Sequence, residues 1–298
     1  MKAGRENMIE IFAYAKINLF LDIQKKREDG YHDIISVMQT VDWCDRILIH
    51  RNGKERIHLM CSEKQIPTDK SNTVYKAAAL FLQQIQNYDG LDIMIEKHIP
   101  HAAGLAGGST DAAATLRGLN RMFGNPFSER ELLSLGKQIG ADVPFCMVGG
   151  TKLTTGIGEQ MEIFPSMPPC FLVCGKMGEG ISTPQAYAAL DRKYGNFEYY
   201  LPHTETLDRL RQSFDATSLE GLSGGTYNIF EEVTEDCRPA VGLLKQRLLE
   251  LGAVSAMMSG SGPSVFGVFQ DRATADRACE VIKSLGAVCK VCTPIHNI

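Results

Sequence analysis

Residues 99–114 form a glycine-rich stretch, Ile99-Pro100-His101-Ala102-Ala103-Gly104-Leu105-Ala106-Gly107-Gly108-Ser109-Thr110-Asp111-Ala112-Ala113-Ala114. Alternating apolar residues predict a strand that enters it, and the alanines predict a helix that leaves it from about Ser109. Glycines let backbone N–H groups approach a ligand, and a helix start adds unpaired N–H groups and the positive end of the helix dipole. These features favour a phosphate cradle, although a tight turn capped by Ser109 or Thr110 fits the glycine pattern equally well.

The glycine spacing excludes two common nucleotide-binding motifs. No Lys-Ser or Lys-Thr pair follows the glycines, so the stretch is not a Walker A loop. Gly104, Gly107 and Gly108 do not fit the G-x-G-x-x-G spacing of a dinucleotide-binding fold.

The composition is that of an ordinary globular chain with one or two domains. The 298 residues are 44% hydrophobic and 22% charged, which excludes a disordered protein. The net charge of −4 argues against a dedicated binder of nucleic acid or of anionic membranes. Nine scattered cysteines favour reduced thiols in the cytoplasm, and Cys289 and Cys292 lack the second ligand pair of a zinc site. We find no apolar stretch long enough for a membrane span and no signal peptide.

Patterns on either side of the glycine-rich stretch predict an α/β chain of two parts. Residues 9–23 read as one strand, and residues 33–42 and 46–51 read as two more. Ser128 and Glu131 form a capping box for a helix that ends at Gly140. A proline-rich segment near residue 165 predicts domains 1–165 and 166–298. From Arg238 onward, alternating helices and paired strands predict an α+β layer.

Several candidate functional residues also have ordinary structural explanations. Lys16 could be a lysine at a sheet edge whose charge reaches water, and Asp142 could be a turn aspartate. Tyr31 and His32 follow a turn, so they could line a cleft or be a core tyrosine and an exposed histidine. The turn at residues 259–263 could be a hairpin or could line a pocket, with equal weight.

Four stretches together resemble the GHMP kinases, the family of the galactokinases, homoserine kinases and mevalonate kinases. The glycine-rich stretch is similar to their ATP-phosphate loop, and Ala106 stands where other members carry glycine. The other three are Ala15-Lys16-Ile17-Asn18 with Gly30-Tyr31-His32, Gly140-Ala141-Asp142-Val143-Pro144, and Met258-Ser259-Gly260-Ser261-Gly262-Pro263. The resemblance implies the GHMP kinase fold, with a ribosomal-protein-like N-terminal domain, a ferredoxin-like C-terminal domain and substrate in the cleft between them.

The resemblance also implies an ATP-dependent phosphotransfer to an alcohol. Within the family, the resemblance is most specific to the members that phosphorylate the 2-hydroxyl of 4-diphosphocytidyl-2-C-methyl-D-erythritol in the non-mevalonate isoprenoid pathway. Mg²⁺ is expected with ATP, although the sequence identifies no ligands for it. Another small-molecule kinase of the homoserine or mevalonate type is the alternative, as is a non-catalytic ligand sensor on the same fold. The oligomeric state stays open.

The resemblance assigns roles to individual residues. Residues 100–110 would bind the ATP phosphates. Asp142 would be the general base for the acceptor hydroxyl, and Lys16 would stabilise the charge that develops on its oxygen. Tyr31, His32 and Tyr187 would bind the cytosine, and Asn18 would contact the diphosphate or the acceptor end.

Overall fold

The computed structural model describes residues 7–87, 90–180, 182–195, 197–198, 200–234 and 238–298. The α/β class expected from the sequence is confirmed. The strands are β1 (Met8–Lys26), β2 (His32–Arg51), β3 (Ile57–Cys61), β4 (Leu91–Glu96), β5 (Thr151–Thr155), β6 (Gln160–Ile163), β7 (Phe171–Lys176), β8 (Tyr227–Asn228), β9 (Ser255–Met258), β10 (Val265–Phe269), β11 (Val288–Cys292) and β12 (Pro294–Ile295). The helices are α1 (Thr73–Gln84), α2 (Gly107–Met122), α3 (Glu129–Ile139), α4 (Val143–Val148), α5 (Thr183–Tyr194), α6 (Thr204–Asp215), α7 (Leu222–Gly225), α8 (Glu231–Thr234), α9 (Pro239–Glu250) and α10 (Arg272–Ser284).

The chain divides into two compact units that interleave along the sequence. Unit 1 holds the described residues within Met1–Ala15, Trp43–Ile99 and Ala106–Val148, and unit 2 holds those within Lys16–Asp42, Pro100–Leu105 and Gly149–Ile298. These limits differ from the division near residue 165, so the domains 1–165 and 166–298 stay a prediction.

Unit 1 packs helices against a small mixed sheet. Its part of β2 pairs antiparallel with β4, and β4 pairs parallel with β3. Helix α2 approaches this sheet closely at Gly118, where an added Cβ would lie 3.2 Å from Ile49 Cδ1 and 3.4 Å from Ile11 Cγ2. The capping box of Ser128 and Glu131 is confirmed at the start of α3, which ends at Gly140 as expected.

Residues 32–51 form one continuous strand, so the prediction of two separate strands was wrong. Asp45, which lies between the two predicted segments, is fully buried within β2. Its Oδ1 accepts the backbone N–H groups of His98 (2.6 Å) and Ile99 (2.8 Å). A buried carboxylate with such partners need not end a strand, because its hydrogen-bonding capacity is satisfied inside the protein.

A buried charged triad in unit 1 joins β2, α2 and the segment after β4. Lys97 Nζ donates to Asp111 Oδ2 at 2.7 Å and also to Asp45 Oδ2. Burial alone would lower the pKa of Lys97, but the two carboxylates raise it. Burial raises the pKa of Asp111 to about 8. The neighbouring carboxylate of Asp45 adds to this rise, and the ammonium of Lys97 opposes it. Within the described chain, Asp111 Oδ1 is buried without a hydrogen-bond partner.

Unit 2 contains a four-stranded antiparallel sheet in the order β11-β7-β10-β9. Helix α9 packs on β9 and β10, and α10 packs on β7 and β11. A strand–helix–strand–strand–helix–strand path with this order is ferredoxin-like, as the resemblance implied. Also in unit 2, β5 pairs antiparallel with β2 and β6, β12 pairs antiparallel with β2, and β8 pairs parallel with β1.

None of the helices in the described ranges is long and apolar enough to cross a bilayer.

The triad predicts a stability that falls as pH rises. Folded Asp111 keeps its proton up to about pH 8, whereas an unfolded aspartate releases it near pH 4. The native state therefore binds more protons between these values, and the free energy of unfolding should decrease by up to about 1.4 kcal/mol per pH unit there. Asp111→Asn mimics the protonated form, so its loss of stability between pH 5 and pH 8 should be smaller. Urea unfolding midpoints across that range measure the difference.

The control for this experiment is Asp208→Asn, which removes a carboxylate from an exposed position on α6. Its pH profile should run parallel to that of the unsubstituted protein. Parallel profiles for all three proteins would contradict a retained proton on Asp111.

Candidate active site

Residues 100–105 of the glycine-rich stretch turn several carbonyl groups toward other residues of unit 2. Within the described chain, the backbone N–H groups of His101, Ala102 and Gly104 donate no backbone hydrogen bond. Four carbonyl oxygens accept hydrogen bonds: that of His101 from Lys176 Nζ (2.6 Å), Ala103 from Ser264 N–H (3.2 Å), Gly104 from Ser259 Oγ (2.9 Å) and Leu105 from Lys16 N–H (3.2 Å).

Position 104 requires a glycine for two reasons, its backbone conformation and the closeness of neighbouring atoms. Its φ is +76°, a left-handed conformation that favours glycine. An added Cβ would lie 2.0 Å from the carbonyl oxygen of Ser259. The turn at residues 259–263 is a hairpin turn, and its role in lining a pocket stays a prediction. It connects β9 to β10 and it packs on the glycine-rich stretch.

Helix α2 begins at Gly107, two residues earlier than the sequence predicted. The N-cap is Ala106, which has a left-handed φ of 58° and makes no side-chain cap. Thr110 is not a cap, because its hydroxyl donates to the carbonyl of Tyr14 at 2.5 Å. The first N–H groups of α2 thus lack a side-chain partner, which is the arrangement that binds anions at helix starts.

Gly107 packs toward the interior of unit 1, whereas Gly108 is exposed. An added Cβ at Gly107 would lie 3.3 Å from both Ile99 Cγ2 and Lys97 Nζ. At Gly108 it would make an ordinary contact, 3.5 Å from Thr73 Oγ1. Gly107 therefore has a packing role next to the charged triad in addition to any role toward a ligand.

Lys16 and Asn18 lie together in the middle of β1 within unit 2. Both are buried, and Lys16 Nζ donates to Asn18 Oδ1 at 2.6 Å. Asn18 Nδ2 in turn donates to Ser36 Oγ at 2.9 Å, and the Asn18 backbone N–H reaches Ser259 Oγ at 3.3 Å. The explanation of Lys16 as an edge-strand lysine with its charge in water is wrong, because the ammonium is buried and hydrogen bonded.

Asp142 lies in unit 1 between α3 and α4. Its side chain is half-buried, and its carbonyl accepts the N–H of Cys146 at 3.0 Å in the first turn of α4. Helices α3 and α4 pack closely at Gly136, where an added Cβ would lie 2.9 Å from Met147 Cε. This packing gives the Asp142 backbone a rigid support.

The aromatic candidates of unit 2 are brought together only in part. The rings of His32 and Tyr187 are stacked, with centroids 4.7 Å apart and planes 19° apart. Tyr187 also meets Phe230 edge to face at 4.9 Å. Tyr31 is 60% exposed and lies outside this stack. The placement of Tyr31 and Tyr187 on opposite faces of one base stays a prediction.

Several residues in contact with the candidates were missed at the sequence level. Asp191 bonds the ring of His32, and Lys176 bonds the glycine-rich stretch. Asp191 follows Tyr187 by four residues on α5, so helical spacing could have identified it. Lys176 carries no comparable signal, because it lies 75 residues from His101 in the sequence.

No group of three or more His, Cys, Asp or Glu residues in the described ranges could hold a metal ion. The eight cysteines in those ranges, which include Cys289 and Cys292, are free thiols.

Comparison with known proteins identifies the family. The model of the GHMP kinases N terminal domain matches residues 72–150, and the model of the GHMP kinases C terminal domain matches residues 210–288. A 4-diphosphocytidyl-2-C-methyl-D-erythritol kinase of Listeria innocua is 42% identical over 269 residues, which is 90% of each chain. A kinase of the same name from Caldicellulosiruptor saccharolyticus is 42% identical over 271 residues, 91% of each chain.

Solved structures share the fold. A crystal structure of 4-(cytidine 5'-diphospho)-2C-methyl-D-erythritol kinase has a TM-score of 0.80 and 28% identity, and covers 96% of this chain and 99% of its own. Homoserine kinase from Cytophaga hutchinsonii has a TM-score of 0.76 at 18% identity, and covers 100% of this chain and 97% of its own. With the matches above, these likenesses show that the chain belongs to the GHMP kinases, in the family of the 4-diphosphocytidyl-2-C-methyl-D-erythritol kinases.

Proposed function

We propose that this chain transfers the γ-phosphoryl group of ATP to the 2-hydroxyl of 4-diphosphocytidyl-2-C-methyl-D-erythritol, releasing ADP and the 2-phosphate. The observation that carries the proposal is the 42% identity, over 90% of the chain, to relatives named for this substrate. The expected cytoplasmic location rests on the cysteine usage and stays a prediction.

The nucleotide half of the proposal is supported by the glycine-rich stretch. Four of its carbonyl groups accept hydrogen bonds within unit 2, and the first N–H groups of α2 have no side-chain cap. Phosphate oxygens accept hydrogen bonds from such groups and are attracted by the positive end of the helix dipole. Mg²⁺ is proposed to arrive with ATP and to neutralise charge on its phosphates. The side chains described supply no cluster of metal ligands, so we assign none.

The transfer itself needs a base and a cation. In the proposed reaction the acceptor hydroxyl gives its proton to the Asp142 carboxylate as its oxygen attacks the γ-phosphorus. The bond from that phosphorus to the β–γ bridging oxygen breaks, and the electron pair leaves with ADP. Lys16 stabilises the charge on the acceptor oxygen, and the hydrogen bond to Asn18 holds its ammonium in place.

An ADP-release assay with a panel of acceptor alcohols tests the substrate. Release with the cytidine diphosphate ester, and not with homoserine or mevalonate, is the expected result. Release with homoserine or mevalonate alone would replace the proposal with another GHMP kinase activity. Binding of ATP with no release for any alcohol would favour the ligand sensor.

Asp142→Asn should lower kcat by about two to four orders of magnitude, because it keeps the shape of the side chain and removes the base. The KM values for both substrates should change far less, since the contacts that bind them remain. Steady-state kinetics measure both, with Asp208→Asn as the charge-matched control. A near-normal kcat would make Asp142 a turn residue only.

Gly104→Ala should raise the KM for ATP by about tenfold or more, because the new methyl group must displace the Ser259 backbone and reshape the N–H groups. Gly124→Ala is the matched control, since Gly124 lies outside the glycine-rich stretch, shares a left-handed φ (82°), and an added Cβ there meets no atom within 4 Å. We expect its KM for ATP to stay within about threefold. Circular dichroism checks that Gly104→Ala is folded. Equal KM values for the two variants would contradict the phosphate assignment.

Tyr187→Ala should raise the KM for the cytidine acceptor by about one to two orders of magnitude, the effect of losing one stacking ring. The KM for ATP should not change. Tyr187→Phe keeps the ring and its contact with His32, so it should behave almost as the unsubstituted enzyme. If Tyr187→Ala affects both substrates equally, the aromatic cluster does not bind the acceptor base.

A further inference from the structure

The imidazole of His32 is held by three side chains of unit 2. Tyr187 covers one face, and Phe197 meets the ring edge-on at 5.7 Å. The side chain is 5% exposed. Its Nε2 lies 2.7 Å from Asp191 Oδ1, and the other oxygen of Asp191 lies 2.7 Å from Lys26 Nζ. The ring therefore has one orientation, fixed by packing and by one hydrogen bond.

The contact with Asp191 decides which ring nitrogen carries the proton. Burial would raise the pKa of Asp191, but hydrogen bonds from Lys26 and His32 outweigh this effect and hold the pKa below its usual range. An ionised carboxylate can only accept a hydrogen bond, so Nε2 of His32 must donate. In a neutral imidazole with a proton on Nε2, the other nitrogen, Nδ1, is an acceptor. Within the described chain, no hydrogen bond to Nδ1 is present.

A hydrogen-bond acceptor at Nδ1 of His32 distinguishes cytosine from uracil. The 4-position of cytosine carries an amino group, which donates, whereas that of uracil carries a carbonyl oxygen, which accepts. We propose that Asp191, supported by Lys26, is a positioning residue that keeps Nδ1 of His32 as an acceptor and so selects a cytidine over a uridine acceptor. This inference deepens the proposed function and rests on it.

The exposed ring of Tyr31 fits this arrangement. A base that donates to Nδ1 lies in the plane of the imidazole. Tyr31 directly precedes His32 in the chain, and the residue is 60% exposed, so its ring can cover a face of that base. The backbone of Tyr31 is anchored, because its N–H donates to Asp29 Oδ1 at 3.1 Å.

Asp191→Asn tests the proposal. An amide can donate to Nε2, which would move the ring proton to Nδ1 and turn the acceptor into a donor. We expect the ratio of kcat/KM for the cytidine acceptor to that for its uridine analogue to fall at least tenfold. The KM for ATP and the kcat at saturating cytidine acceptor should stay within about twofold. Asp208→Asn, with the same charge change on exposed α6, should leave the ratio unaltered.

The ring proton is also observed directly. In protein with ¹⁵N-labelled histidine, long-range ¹H–¹⁵N spectra distinguish the two tautomers, and His32→Gln identifies the signals of His32. Nε2 should carry the proton in the unsubstituted protein, and the pattern should change in Asp191→Asn. An unchanged pattern, or a ratio unchanged in Asp191→Asn, overturns the proposal. So does an equal loss of kcat and of affinity for ATP, which would indicate a structural role.

Different results would contradict the proposed function and the inference about Asp191. If the unsubstituted protein does not phosphorylate the cytidine acceptor at all, the proposed function is wrong. The nuclear magnetic resonance measurement then still decides whether Asp191 fixes the tautomer of His32, because it needs no substrate.

Discussion

A buried charge must be compensated inside the protein, and this constraint organises unit 1. Lys97 is almost completely buried, and its ammonium would be very unfavourable there without partners. Asp45 and Asp111 supply the compensation from β2 and α2. The triad therefore fixes the position of α2 against the strands, and with it the end of the glycine-rich stretch. Burial, together with the second carboxylate beside the one ammonium, raises the pKa of Asp111.

Unit 2 also contains a buried ammonium group, that of Lys16, and a chain of hydrogen bonds begins at it. Lys16 donates to Asn18, which donates to Ser36, and Ser36 donates to the carbonyl of Phe20 at 2.6 Å. This chain satisfies polar groups in the middle of a buried strand and holds the ammonium in a fixed place. Side chains that are satisfied in this way need little reorganisation when a ligand arrives, which suits a site that works by electrostatic stabilisation.

Four carbonyl groups of the glycine-rich stretch accept hydrogen bonds within unit 2. The backbone there needs a left-handed residue and a close approach to the turn after β9. Gly104 provides both, because it lacks a Cβ. Ala106 has a left-handed φ despite its Cβ, and such a conformation costs roughly 1–2 kcal/mol in an ordinary residue.

The sequence by itself determined much of the local structure and the family. Periodicity identified β1, the box of Ser128 and Glu131 marked the start of α3, and the four matching stretches identified the GHMP kinases. These features depend on residues close together in the chain, so they can be read without coordinates. Only the tertiary structure decided the continuity of β2 through Asp45, the stack of His32 on Tyr187 and the bond from Asp191 to His32. Each of these depends on a partner more than 50 residues away, and the polar character of Asp45 or His32 alone does not indicate whether that partner exists.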